Sequence, residues 1–220
     1  DKMRMVLKNR SKKEHKLSFK KFKKYFTLKN LTIFLISFAV VSIILGFIFF
    51  QFLDETAKQE IVNNIKESFT LKEEYDYFKL FLDSLFENLS YTFLVWILGI
   101  SIVGIIVIII LYFFNFFSIG FTISGIFNSY GYNGIFALIS YLFPSKLVYI
   151  LLFYFITFFA IKFSAQLFKH LFLKQEINLQ KAMKKYFNVL IFAVIITIVY
   201  SILEVFVNPF MIKIFTNFIK

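Results

Sequence analysis

Apolar and polar positions alternate along this chain in long blocks rather than in short periods. Between Tyr91 and Phe143 no charged residue occurs over 53 positions. The centre of that block, ILGISIVGIIVIIILYFFNFFSIGF, is almost wholly aliphatic and aromatic. A bilayer core about 30 Å thick is crossed by about 20 apolar residues in a helix. The block is too long for one crossing and predicts a membrane hairpin. With its flanks it predicts an all-α, polytopic integral membrane protein of about five transmembrane helices, the third irregular or broken.

The membrane domain is expected over residues 31–209, with spans at about 31–53, 91–113, 117–143, 146–168 and 187–209. Leu31–Leu53 has no charge and makes about 34 Å of helix at about 1.5 Å per residue. No small-residue cleavage site follows it, so it reads as an uncleaved anchor rather than a signal peptide. Between the second and third spans, Asn115 is the expected tight turn. In the third, Asn128, Ser129, Tyr130, Gly131 and Asn133 interrupt the apolar run. A break at that depth is tolerated where protein buries it or water reaches it. Before the second span, residues 54–90 form a polar segment in which Leu71, Tyr75, Phe78, Leu82 and Leu85 recur at helical spacing. Trp96 is expected near the outer interface.

Charge sets the expected orientation. Residues 1–30 carry 12 Lys and Arg against two acids, residues 54–90 nine acids against four Lys, and residues 169–186 five Lys against one Glu. Basic segments stay in the cytoplasm. Five crossings satisfy all three segments, with a cytoplasmic polybasic arm (1–30), an acidic extracytoplasmic loop (54–90) and an extracytoplasmic tail (210–220). In the arm, Phe19, Phe22 and Phe26 fall at i, i+3 and i+7, a spacing suited to lying on headgroups. The net charge of +12 is thereby assigned to topology and an anionic inner leaflet rather than to nucleic acid. Composition agrees, with 59% hydrophobic residues, 22% aromatic and a mean hydropathy of +0.75. The chain starts at Asp1, so translation is expected to begin at Met3, Met5 or upstream.

Candidate chemistry is sparse. With no Cys, disulfides, thiol catalysis and Cys-ligated metals are excluded. The two His residues, His15 and His170, form no ligand set with other side chains, and no nucleophile elbow, zinc motif or phosphate loop is present. An intramembrane Ser–His pair would need a His within a span. No catalytic, cofactor-binding or metal residue is therefore assigned, and no small-molecule substrate is expected. Ser101, Ser118, Ser124 and Ser129 read as small packing residues. Gly99, Gly104, Gly120, Ser124, Gly125 and Gly131 let helices approach closely in lipid, where small residues replace the missing hydrophobic force. They serve packing within the chain or docking of a partner's membrane helix. Lys146 and Glu204 fall at similar depth and are expected to pair, since an isolated charge in a bilayer is costly.

The segment LFENLSYTFLVWILGISIVGI resembles the stage II sporulation protein M family, in which a Phe-x-Asn element enters an aliphatic helix carrying Trp-Ile-Leu-Gly. Phe86, Asn88, Trp96, Ile97, Leu98 and Gly99 match in order. The Gly-rich third span is similar too, with Gly120, Phe121, Thr122, Gly125, Gly131 and Pro144, as is AIKFSAQLF. The resemblance covers about Leu85 to Leu173. Where the family often has His-Gly after the proline, this chain has PSKLV.

The resemblance implies a five-span bacterial membrane protein with a cytoplasmic N-terminus. It implies a role in engulfment during sporulation, in a complex with stage II sporulation proteins D and P, which degrade septal peptidoglycan. The expected function is thus a non-catalytic scaffold that recruits and localises wall hydrolases. The alternative is a small transporter or channel subunit using Asn128–Asn133 and Glu204. An intramembrane enzyme is a third and weaker reading.

Overall fold

The computed structural model describes residues 28–69 and 76–219, and among them every element is helical. The polybasic arm with Phe19, Phe22, Phe26 and His15 lies outside the described residues, as do Leu71 and Tyr75. In chain order the helices are α1 (Leu28–Gln51), α2 (Glu55–Ser68), α3 (Tyr77–Gly99), α4 (Gly104–Tyr130), α5 (Gly134–Tyr141), α6 (Leu147–Phe172) and α7 (Leu179–Ile219). Residues 1–38 and 39–220 form two compact units. The described part of the first is the start of α1, where Phe34 stacks on Phe38.

Polar side chains start the helices that follow loops. Asp54 accepts from the Ala57 N–H ahead of α2, Asp76 from the Lys79 N–H ahead of α3, and Asn178 from the Lys181 N–H ahead of α7. Each satisfies an amide with no partner inside its helix.

Three helical stretches are long and apolar enough to cross a membrane: Leu28–Gln51, the 69-residue run Gly104–Phe172, and Leu179–Ile214. The sequence pattern anticipates about five crossings; length and composition yield these three stretches. The physical reasons are local. The first half of α3 carries Asp83, Glu87 and Asn88, and the interruptions between α4 and α6 are only a few residues long.

The expected turn at Asn115 is not there. Asn115 lies in the middle of α4, and the chain reverses at residues 100–103 instead. Glycine decides this. A Cβ on Gly104 would stand 1.9 Å from the Leu98 carbonyl oxygen, so only glycine lets α4 start against the last turn of α3. The exposed Ser101 carbonyl accepts from Ser164 of α6 at 2.7 Å. The helices expected at 91–113 and 117–143 are thus displaced by about a dozen residues.

The expected irregularity does occur inside 117–143. Asn128 and Ser129 return their side chains to the Ser124 and Gly125 carbonyls and remain helical. The break follows as a 3-10 turn over Gly131–Asn133, with Gly131 at φ +54°, a left-handed value that favours glycine. A second interruption, where Phe143 leaves helical geometry before Pro144, separates α5 from α6. At the far end, α7 continues past Pro209 into the residues expected as a tail.

α3, α6 and α7 pack together, with α7 antiparallel to the other two. The end of α3 meets the start of α7, where Trp96 stacks on Tyr186, while Ser84 near the start of α3 reaches Glu204 on α7. The second half of α1 packs on α4 almost backbone to backbone. A Cβ on Gly46 would lie 2.0 Å from the Phe117 carbonyl, and one on Gly120 1.9 Å from that of Ile43. Gln51 closes the same interface by donating to Ser124 at 2.8 Å.

Candidate functional site

The polar side chains of the second unit converge where α3, α4, α6 and α7 surround a cavity of about 330 Å³. Its centre is Glu204 on α7. One carboxylate oxygen accepts from the Tyr200 hydroxyl at 2.6 Å and from Lys146 Nζ at 3.4 Å; the other accepts from Ser84 at 2.6 Å. Tyr200 lies one turn below Glu204 on the same face, so α7 itself supplies the first hydroxyl. Ser84 and Asn88 stand one turn apart on α3, and Asn88 donates to the Ser84 carbonyl at 2.6 Å.

Lys146 enters from the kink after Pro144, which aims its side chain inward. Its ammonium lies 5.9, 5.5 and 5.8 Å from the ring centroids of Tyr141, Tyr149 and Tyr200. At such distances each ring face attracts the cation. Lys146 also donates to the Tyr200 hydroxyl at 3.2 Å. On the α4 side, Asn115 donates to the Tyr149 hydroxyl. Lys146 and Glu204 each keep a quarter of their side-chain surface accessible, so the pair is neither fully desolvated nor freely hydrated.

A neighbouring groove of about 400 Å³ shares Glu87 and Glu204 with the cavity and adds Glu67 and Asp83. Four carboxylates and one ammonium therefore border the two openings. The arrangement can hold a polar or cationic group, or orient a partner's charged residue. Among the described residues, no group of three or more His, Cys, Asp or Glu is placed to hold a metal.

The family model for stage II sporulation protein M matches residues 16–209, most of the chain. The chain belongs to the stage II sporulation protein M family. It is a sporulation-related membrane protein. No curated protein and no solved structure matches it.

The residues that carry the resemblance to the stage II sporulation protein M family are dispersed. Asn88 belongs to the cavity, Pro144 stands at the kink two residues before Lys146, and Phe86 is exposed. Trp96 lies at the end of α3 away from Ser84 and Glu204, beside the basic start of α7. There its indole donates to the Tyr186 carbonyl at 3.2 Å, and the Tyr186 hydroxyl donates to the Trp96 carbonyl at 2.8 Å.

The small residues are engaged within the chain. Gly99 abuts Ala160 and Tyr186, Gly104 the end of α3, Gly120 the backbone of α1, and Gly125 the side chain of Ile65 on α2. Ser124 accepts from Gln51. Gly131 packs on nothing within 4 Å and serves the turn.

Lys146 and Glu204, paired in the sequence reading, stand together. Ser84, Asn115, Tyr149 and Tyr200 join them without having been singled out as site residues. The signal was available for two: Tyr200–Glu204 is an i, i+4 polar pair within an apolar run, and Ser84–Asn88 is one beside Asp83 and Glu87.

Proposed function

We propose that this chain is a non-catalytic membrane scaffold that recruits and localises peptidoglycan-degrading enzymes during engulfment, with stage II sporulation proteins D and P, or similar wall hydrolases, as its partners. Family membership over residues 16–209 is the observation that carries this reading. Two features support it. Phe78, Leu82 and Phe86 recur every fourth residue on α3, and all three are exposed, at 72%, 45% and 77%. This stripe shares its helix with Asp83 and Glu87 of the acidic groove, giving a partner both apolar and charged contacts. The internal occupation of the glycine faces supports a reading in which the partner docks on this half of α3.

The proposed orientation puts the basic end, with Trp96 and the start of α7, in the cytoplasm. The end with Glu204 and Lys146 then faces the extracytoplasmic side, where the hydrolases act. The test is affinity capture of the tagged protein from sporulating cells. Recovery of a wall hydrolase by wild type, and its loss with Phe78→Ser/Phe86→Ser, is expected. Failure of wild type to recover any wall hydrolase overturns the reading.

A second reading, a small transporter or channel subunit, draws on the polar cavity. On that view Glu204→Gln abolishes transport while hydrolase capture persists.

A further inference from the structure

A second crevice lies between α6 and α7, far from the Glu204 cavity, and has the opposite electrostatic character. Its volume is about 310 Å³, at the lower end of the roughly 300–1000 Å³ typical of ligand pockets. Three lysines line it: Lys162 from α6, and Lys181 and Lys185 from α7. Among the described residues the ion pairs are Lys58–Glu55 and Lys146–Glu204, so none of the three lysines is neutralised by an acid. Asn178 and Gln166 add polar groups at the rim, while the rest of the wall is apolar and aromatic, including Phe159 and Phe163.

The aromatic wall does not end at the crevice. Lys162 sits over Phe159, 5.3 Å from its ring centroid. Phe159 lies 4.8 Å from Phe155, and Phe155 5.2 Å from Phe192 on α7. This row of rings runs from the lysines towards the middle of the two apolar helices, and half of the Phe192 surface is exposed. A soluble anion would use the lysines and leave the row idle. A molecule with an anionic head and a hydrocarbon tail uses both.

We propose that this crevice is a binding site for an anionic phospholipid, its phosphate held by Lys162, Lys181 and Lys185 and one acyl chain laid along Phe159, Phe155 and Phe192. Basic pockets between membrane helices hold such headgroups through charge at the interface. The occupancy ties the basic end of the α6–α7 pair to the anionic leaflet. It is independent of the scaffold reading, since it needs no partner protein.

The test uses the purified full chain in neutral detergent, with bound lipid counted by native mass spectrometry. Dioleoyl-phosphatidylglycerol is expected to bind at one site, and dioleoyl-phosphatidylcholine at least tenfold more weakly. Lys162→Gln/Lys185→Gln is expected to weaken phosphatidylglycerol binding by roughly thirtyfold. Lys174→Gln/Lys184→Gln, which removes the same charge from the same end but not from the crevice, is expected to bind as wild type does. Equal binding of the two lipids overturns the proposal, and so does equal loss in the two variants. Displacement of the lipid by inorganic phosphate or glycerophosphoglycerol at comparable concentration assigns the site to a soluble anion and overturns it as well. The lipid comparison on wild type keeps the proposal falsifiable should the crevice variant fail to fold.

Discussion

α3 and α7 are joined at both ends, by unlike means. At the basic end the contact is solid. Trp96 stacks on Tyr186, Tyr186 stacks on Phe163 at 4.4 Å, and two reciprocal hydrogen bonds reach backbone carbonyls. At the other end Ser84, Lys146 and Tyr200 meet on the Glu204 carboxylate around a hollow. Rings and glycine leave little room for adjustment, because interiors at close-packed density transmit any added volume as strain. A carboxylate beside a cavity can exchange partners. The first α3–α7 contact is a packed one, with the lysine crevice beside it between α6 and α7, while the second α3–α7 contact is itself formed by charged groups at the edge of a cavity.

The largest effect is expected at the solid end. A Cβ on Gly99 would lie 2.2 Å from the Tyr186 hydroxyl and 2.9 Å from the Ala160 Cα, and the backbone of α6 cannot step aside cheaply. Gly99→Leu is expected to destabilise by about 3 kcal/mol or more, from the upper range for overpacked cores, read as a lower unfolding midpoint in detergent. A midpoint unchanged within error would show the two helices to be further apart than described.

A smaller loss is expected at the hollow end. Glu204→Gln strands the Lys146 ammonium among its rings. Breaking a fully buried pair costs about 3–5 kcal/mol; here about 2 kcal/mol is expected, because both side chains keep a quarter of their surface accessible. Adding Lys146→Met should recover at least half of that loss, since the unpaired charge is then gone. Additive effects in the double variant would show that the pair is not coupled.

The smallest effect concerns the middle of the same interface. The Thr92 and Thr197 hydroxyls lie 3.4 Å apart, and while one donates across the interface the other donates to a carbonyl of its own helix. Thr92→Val is expected to cost about 0.6 kcal/mol, the average for hydrogen bonds between membrane helices. A loss as large as that of Glu204→Gln would place the polar anchor of the pair in its middle and erase the contrast between its ends.

The amino-acid sequence by itself determined the all-helical membrane class, the family, the polar interruption near Gly131, and the meeting of Lys146 with Glu204. These follow from composition and from the cost of leaving polar groups in lipid, which act on each residue whatever its neighbours are. Only the tertiary structure decided where the hairpin turns. Asn115 looks like a turn residue by type, but its amide is satisfied by Tyr149, 34 positions on. The real reversal uses Gly99 and Gly104, whose missing side chains matter only because Ala160, Tyr186 and the Leu98 carbonyl come so close. Apolar periodicity cannot report such contacts, because a glycine in a uniformly greasy run leaves no mark on the pattern. The cavity, too, is assembled from α3, α4, α6 and α7 with the end of α5 and the kink that follows it, and its lining becomes a set only once they pack.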